Sequence, residues 1–153
     1  WCVGGVAFFD KRSDLGRVFP AYFQKSYWNP SFSCRVKDST KNQVDFLLKK
    51  LVHVERSRPI FLYLNVDAIH YPNYFYLEGA VSNSRDSLQS HRAALRYVDT
   101  QLGRLFDGWK SLRKDTFVIC CSDHGTCYGE DGCWAHGISH PMVNTVPYKH
   151  FFL

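Results

Sequence analysis

The sequence predicts an α/β fold with a mostly parallel sheet and helices on both faces. Three features carry that expectation: short, nearly all-apolar runs at residues 60–66 and 116–121, a long amphipathic segment between them, and turn residues bounding each run. Continuous apolar runs of that length suit strands covered on both sides, as in a parallel sheet. Strand, helix and strand in that order make a crossover unit whose helix packs on one sheet face.

Four strand-like and two helical stretches follow in order, with no internal repeat, so residues 1–153 read as a single α/β domain. The chain opens at Trp1 and runs straight into apolar Val3-Gly4-Gly5-Val6, without an initiator Met. It reads as the interior of a longer chain, so a fragment or a processed product is expected. Residues 10–40 hold Pro20, Pro30 and scattered aromatics, which predicts loops with one short helix near residues 15–24. Thr40 and Gln43 have the spacing of a reciprocal helix cap, and Val44, Leu47, Leu48, Leu51 and Val54 or Glu55 then line one helical face. Ser57-Arg58-Pro59 ends that helix. The second helix spans residues 87–112 on a stripe of Leu88, Arg92, Leu95, Val98, Leu102, Leu105 or Phe106, and Trp109. The apolar tail from Tyr148 to Leu153 reads as a last strand.

Composition limits the function classes. With 45% hydrophobic and 22% charged residues, disorder is excluded, and 12 Phe, 9 Tyr and 4 Trp supply a large apolar area. The longest apolar run falls far short of the roughly 20 residues a membrane span requires. The net charge of +5 is spread over separated Lys and Arg residues, from Lys11 and Arg12 to Arg56 and Arg58. No basic arm for nucleic acid is present, and a small positive bias suits an anionic small molecule. No compartment is assigned.

The chemistry lies just after the two apolar runs. The first leads into Asp67-Ala68-Ile69-His70-Tyr71-Pro72 and the second into Ser122-Asp123-His124-Gly125. In an open α/β sheet, ligands sit outside the carboxyl ends of the strands, so both Asp and His pairs are expected at a common cleft. A carboxylate and a neutral imidazole together suit a divalent cation. The plainer alternative has Asp123 capping the turn while His124 only hydrogen-bonds.

The wider context favours the metal. The run from Thr116 to Gly125, then Gly129-Glu130, His136 and Val146-Pro147, resembles the C-terminal motif block of sulfatases and related phosphoesterases of the alkaline phosphatase superfamily. Ile60 to Pro72 is similar to that family's strand ending in a His shortly before Pro, and Tyr97 to Leu105 to its intervening helix. The resemblance implies an alkaline-phosphatase-like fold, of which this chain is the C-terminal part of a larger catalytic domain. It implies a hydrolase of sulfate or phosphate mono- or diesters acting on an anionic small-molecule ester. Asp123 and His124 would ligate the catalytic divalent metal (Zn, Mn, Ca or Mg), and His70 and His136 would be the catalytic histidines that contact the ester and protonate the leaving oxygen. Two-metal relatives suggest a less favoured second set, Asp67 and His140 with His70 or His136.

The resemblance has gaps. The family's nucleophile lies in an N-terminal Cys/Ser-x-Pro/Ala-x-Arg motif, or is a Thr, beside further Asp ligands. Cys34-Arg35-Val36-Lys37-Asp38 lacks that spacing, and no Asp pair follows an early strand. This chain therefore carries half an active site. Six cysteines leave a rival reading in which His124, Cys127, Cys133 and His136 form a closed structural zinc site in a non-catalytic or ligand-binding domain. Cys120 and Cys121, inside an apolar run, are expected to pack as small hydrophobes.

Overall fold

A computed structural model describes residues 1–153, except the side chain of Ala7. The chain divides into two units, Trp1–Leu112 and Arg113–Leu153. In the first unit, β1 (Cys2–Gly4), β2 (Ser26–Trp28) and β3 (Tyr63–Leu64) form a parallel sheet in the order β2-β1-β3. Cys2 pairs with both Ser26 and Tyr63, and Val3 with both Tyr27 and Leu64. Central position explains why Cys2 and Val3 are fully buried.

The helices of this unit are α1 (Leu15–Val18), α2 (Ser39–Leu51) and α3 (Leu88–Leu112). A 3-10 turn, Phe19–Tyr22, continues α1, so the expected short helix near residues 15–24 is present in two pieces. Helix α2 buries Gln43, Val44, Leu47 and Leu51, the predicted face. Its cap differs from expectation. The helix begins one residue before Thr40, Thr40 Oγ1 has no hydrogen-bond partner, and Gln43 Nε2 donates 2.7 Å to the Asn65 carbonyl beyond β3. Gln43 thus ties the helix to the strand end, where a buried carbonyl would otherwise lose its water.

Helix α3 packs against α2. Its buried stripe is Ser90, Ala94, Val98, Gln101, Leu105 and Trp109, while Leu88 and Leu95 remain exposed. Val98, Leu105 and Trp109 are buried as expected, and the N-terminal half of the stripe falls instead on Ser90 and Ala94. Close approach explains the choice of small residues: a Cβ on Gly108 would lie 2.5 Å from Leu48 Cδ2 of α2. The helix starts on a reciprocal serine cap, with Ser90 N–H donating to Ser87 Oγ (3.1 Å) and Ser87 N–H to Ser90 Oγ (2.8 Å).

In the second unit, β4 (Phe117–Cys121) pairs antiparallel with β7 (Tyr148–Phe152), in register Phe117 with Phe152 and Cys121 with Tyr148. A small hairpin joins β5 (Cys127–Tyr128) to β6 (Trp134–Ala135), and α4 (Pro141–Asn144) follows. The fold is α/β, but the mostly parallel sheet with helices on both faces is not seen. Among the described residues the strands form one parallel sheet of three and two antiparallel pairs. Among the described residues the ladder partner of β4 is β7. Phe117, Ile119, Tyr148 and Phe152 are exposed, so these apolar strands are covered on one face only. Cys121 is likewise exposed and Cys120 half-buried. Among the described residues no helix is long and apolar enough to cross a membrane.

Candidate metal turn and its histidines

In the second unit the polypeptide leaves β4 through Ser122 into Asp123, His124 and Gly125. Ser122 Oγ donates to the His124 carbonyl (2.6 Å), and the His124 amide donates to Asp123 Oδ1 (3.0 Å). These bonds fold the segment into a tight turn and leave Asp123 Oδ2 free in an 86% exposed side chain. His124 Nδ1 lies 2.8 Å from the Gly125 carbonyl. A carbonyl only accepts, so Nδ1 carries the proton and Nε2 of the neutral ring keeps its lone pair. That nitrogen is 3.8 Å from Asp123 Oδ2.

An anionic oxygen and an imidazole nitrogen with its lone pair thus stand 3.8 Å apart. A proton on Nδ1 held by a backbone carbonyl is the supporting bond metal-ligating histidines characteristically make. The pair fits a divalent cation as two of its ligands. Among the described residues no three His, Cys, Asp or Glu side chains are grouped as a complete cage.

His136 joins this turn. Its ring stacks on His124 with centroids 4.2 Å apart. Ala135, just before it, has φ +67°, a left-handed conformation that costs a residue with a side chain about 1–2 kcal/mol. The strained peptide turns the chain out of β6 at the residue that presents His136.

His140 is placed differently. It is 9% exposed, its Nδ1 lies 3.3 Å from Cys127 Sγ, and its Nε2 lies 3.1 Å from Asp131 Oδ2. The rival zinc set of His124, Cys127, Cys133 and His136 is not assembled: Cys127 Sγ meets His140, and Cys133 Sγ donates weakly to the Asp131 carbonyl (3.8 Å).

In the first unit, Asp67 and His70 stand just beyond β3. The His70 amide donates to the Asp67 carbonyl (3.0 Å), closing one turn of chain between them. His70 Nδ1 donates to the Tyr71 carbonyl (2.7 Å), so Nε2 of its neutral ring keeps the lone pair, as in His124. Asp67 is 1% exposed; its Oδ1 accepts from Asn65 Nδ2, and its Oδ2 has no hydrogen-bond partner. Burial pushes its carboxyl up to about 7, against the opposing hydrogen bond from Asn65. Sequence reasoning missed Gly5. A Cβ there would lie 2.0 Å from the Phe32 carbonyl and 2.5 Å from Asp67 Oδ2, and the Gly4-Gly5 pair was the available signal.

Parallel strands with helical connections put the chain in the α/β class. It belongs to the sulfatase family, whose model matches residues 7–148. The chain is 36% identical to human iduronate 2-sulfatase over 69 residues, 44% of this chain and 12% of that protein. It is 39% identical to choline-sulfatase of Rhizobium meliloti (strain 1021) over 54 residues, 34% of this chain and 10% of that protein. Mouse iduronate 2-sulfatase is 36% identical over 61 residues, 39% of this chain and 11% of that protein. The matched segments thus span about a tenth of the length of these relatives. No solved structure matches the chain at a significant level.

Proposed function

We propose that the chain supplies the metal turn and two histidines of a metal-dependent ester hydrolase, as the C-terminal part of a larger catalytic domain. The substrate class is an anionic small-molecule sulfate ester, with phosphate mono- and diesters as the chemical alternative. Sulfate comes first because the relatives are sulfatases by name. In the complete protein the parallel strands join a mostly parallel sheet with helices on both faces. The apolar residues left exposed on β4 and β7 support that reading.

The observation that carries the proposal is the orientation of His124, whose Nδ1 proton is held by Gly125 while Nε2 stands 3.8 Å from Asp123 Oδ2. Asp123 and His124 hold the cation (Zn, Mn, Ca or Mg). When bound, the cation supplies Lewis-acid polarisation of an ester oxygen. His70 and His136 are the non-ligating histidines. Each contacts the anionic ester, and one of the two rings passes a proton to the leaving oxygen. Asp67 and His140 are set aside as a second ion site, because both nitrogens of His140 are already engaged.

In the complete protein, Asp123→Ala is expected to lower Mn²⁺ affinity by a factor of 100 or more. His70→Ala is expected to keep the metal and slow ester turnover by about 10²–10⁴. Calorimetric titration and a chromogenic aryl sulfate read the two effects. Equal Mn²⁺ affinity in wild type and Asp123→Ala sinks the reading. Zinc lost from Cys127→Ser and Cys133→Ser, but kept in Asp123→Ala, replaces it with the non-catalytic zinc domain.

A further inference from the structure

We infer that His140 is a positioning residue for the Asp123–His124 turn, acting through α4 and Gly125. The inference rests on the metal reading above and concerns residues that reading does not use.

His140 is the N-cap of α4, and its Nδ1 accepts from the Met142 amide (3.1 Å). An acceptor nitrogen carries no proton, so the Cys127 thiol donates to the same atom and Nε2–H donates to Asp131 Oδ2. The Cys127 and Asp131 side chains lie on opposite nitrogens of the imidazole, so the three groups form a strap rather than a metal cage. Burial, with Glu130, Cys133 and Asp131 nearby, pushes the Cys127 thiol up and keeps it a donor. One ring thereby ties β5, the turn at Asp131 and the start of α4 together.

Helix α4 has only four residues and cannot hold its shape by propagation. Its backbone is held instead by the cap and by the His140 carbonyl, which accepts from Val143 (2.9 Å) and Asn144 (3.0 Å). The fixed helix is the wall against which the metal turn rests. Gly125 N–H donates 2.8 Å to the Val143 carbonyl, and a Cβ on Gly125 would lie 2.0 Å from the Met142 carbonyl oxygen. Gly125 in turn supplies the carbonyl that holds the His124 Nδ1 proton. The causal order is His140, α4, Gly125, His124 Nδ1, and finally the direction of His124 Nε2.

The test uses Mn²⁺ titration of the complete protein and ¹⁵N NMR of the histidine rings in its metal-free form. His140→Ala is expected to weaken Mn²⁺ binding by about 10–100-fold, the range for residues that support a ligand. It is also expected to let the His124 ring exchange between tautomers. His140→Asn should recover most of the affinity, since its Oδ1 can accept from the Met142 amide. Should His140→Ala not fold, Asp131→Ala takes its place; that side chain is 87% exposed, its removal leaves His140 Nε2–H without its acceptor, and an affinity loss of about 10-fold is expected, the lower end of that range. Mn²⁺ affinity within twofold of wild type in His140→Ala, or in Asp131→Ala where it substitutes, overturns the inference. So does a His124 tautomer unchanged in His140→Ala. If wild type itself does not bind Mn²⁺ the functional reading falls, and the tautomer measurement still decides the role of His140.

Discussion

Asp67→Asn is expected to stabilise the metal-free chain at pH 8 by about 2–4 kcal/mol and to leave it nearly unchanged at pH 4. Asp67 is buried beyond β3 with one oxygen unpartnered, and its carboxyl is pushed up to about 7. An unfolded chain releases that proton near pH 3.9. Between about pH 4 and 7 the folded state therefore binds more protons than the unfolded state. Stability falls as pH rises through this window, and the contribution of the neutral acid is gone above pH 7. A shift of roughly three units is worth about 4 kcal/mol, and the buried amide of Asn returns part of that gain because it needs partners of its own. Urea unfolding at pH 4, 6 and 8 reads the effect. Wild type should lose midpoint across the series more steeply than the variant, and parallel profiles would refute the account.

The helices were legible because their pattern is local. In α2 the spacing of Val44, Leu47 and Leu51 found the buried face, and the end of α3 at Leu112 matched its run of apolar residues. The α3 stripe was harder, since periodicity favours large side chains over the small Ser90 and Ala94 that allow close packing. Each of the long helices also engages, near its start, a partner distant in sequence. Gln43 went to the Asn65 carbonyl, and Ser90 is engaged by Asn73 as well as Ser87. The two apolar runs were found, but periodicity says nothing about which strand supplies the ladder, and β4 paired with β7.

The turn at Asp123 was readable because its motif is contiguous, and its geometry depends on atoms two residues apart. His140 was visible only as a spare ligand. Its engagement with Cys127 and Asp131 spans 13 and 9 residues, and no spacing rule joins them. The rival cysteine–histidine set had a compact spacing, yet the hairpin of β5 and β6 left Cys127 Sγ on His140. Backbone pairing decided which way those side chains point.

Gly125→Ala should produce the second large effect, a loss of about 2–3 kcal/mol together with loss of high-affinity Mn²⁺ binding. A methyl at this position would sit 2.0 Å from the Met142 carbonyl oxygen and 3.4 Å from that of Thr145. Both are backbone atoms, so no rotamer change relieves the overlap, and either α4 or the turn must move. Movement of the turn breaks the Gly125 N–H bond to Val143 and displaces the carbonyl that orients His124. Gly137 is the matched control within the same unit, because a Cβ there meets nothing within 4 Å. Thermal unfolding and Mn²⁺ titration of Gly125→Ala and Gly137→Ala in the complete protein separate the two cases. Gly137→Ala is expected to match wild type in both measurements. A Gly125→Ala protein that retained wild-type Mn²⁺ affinity would show that the orientation of His124 does not depend on the wall behind it.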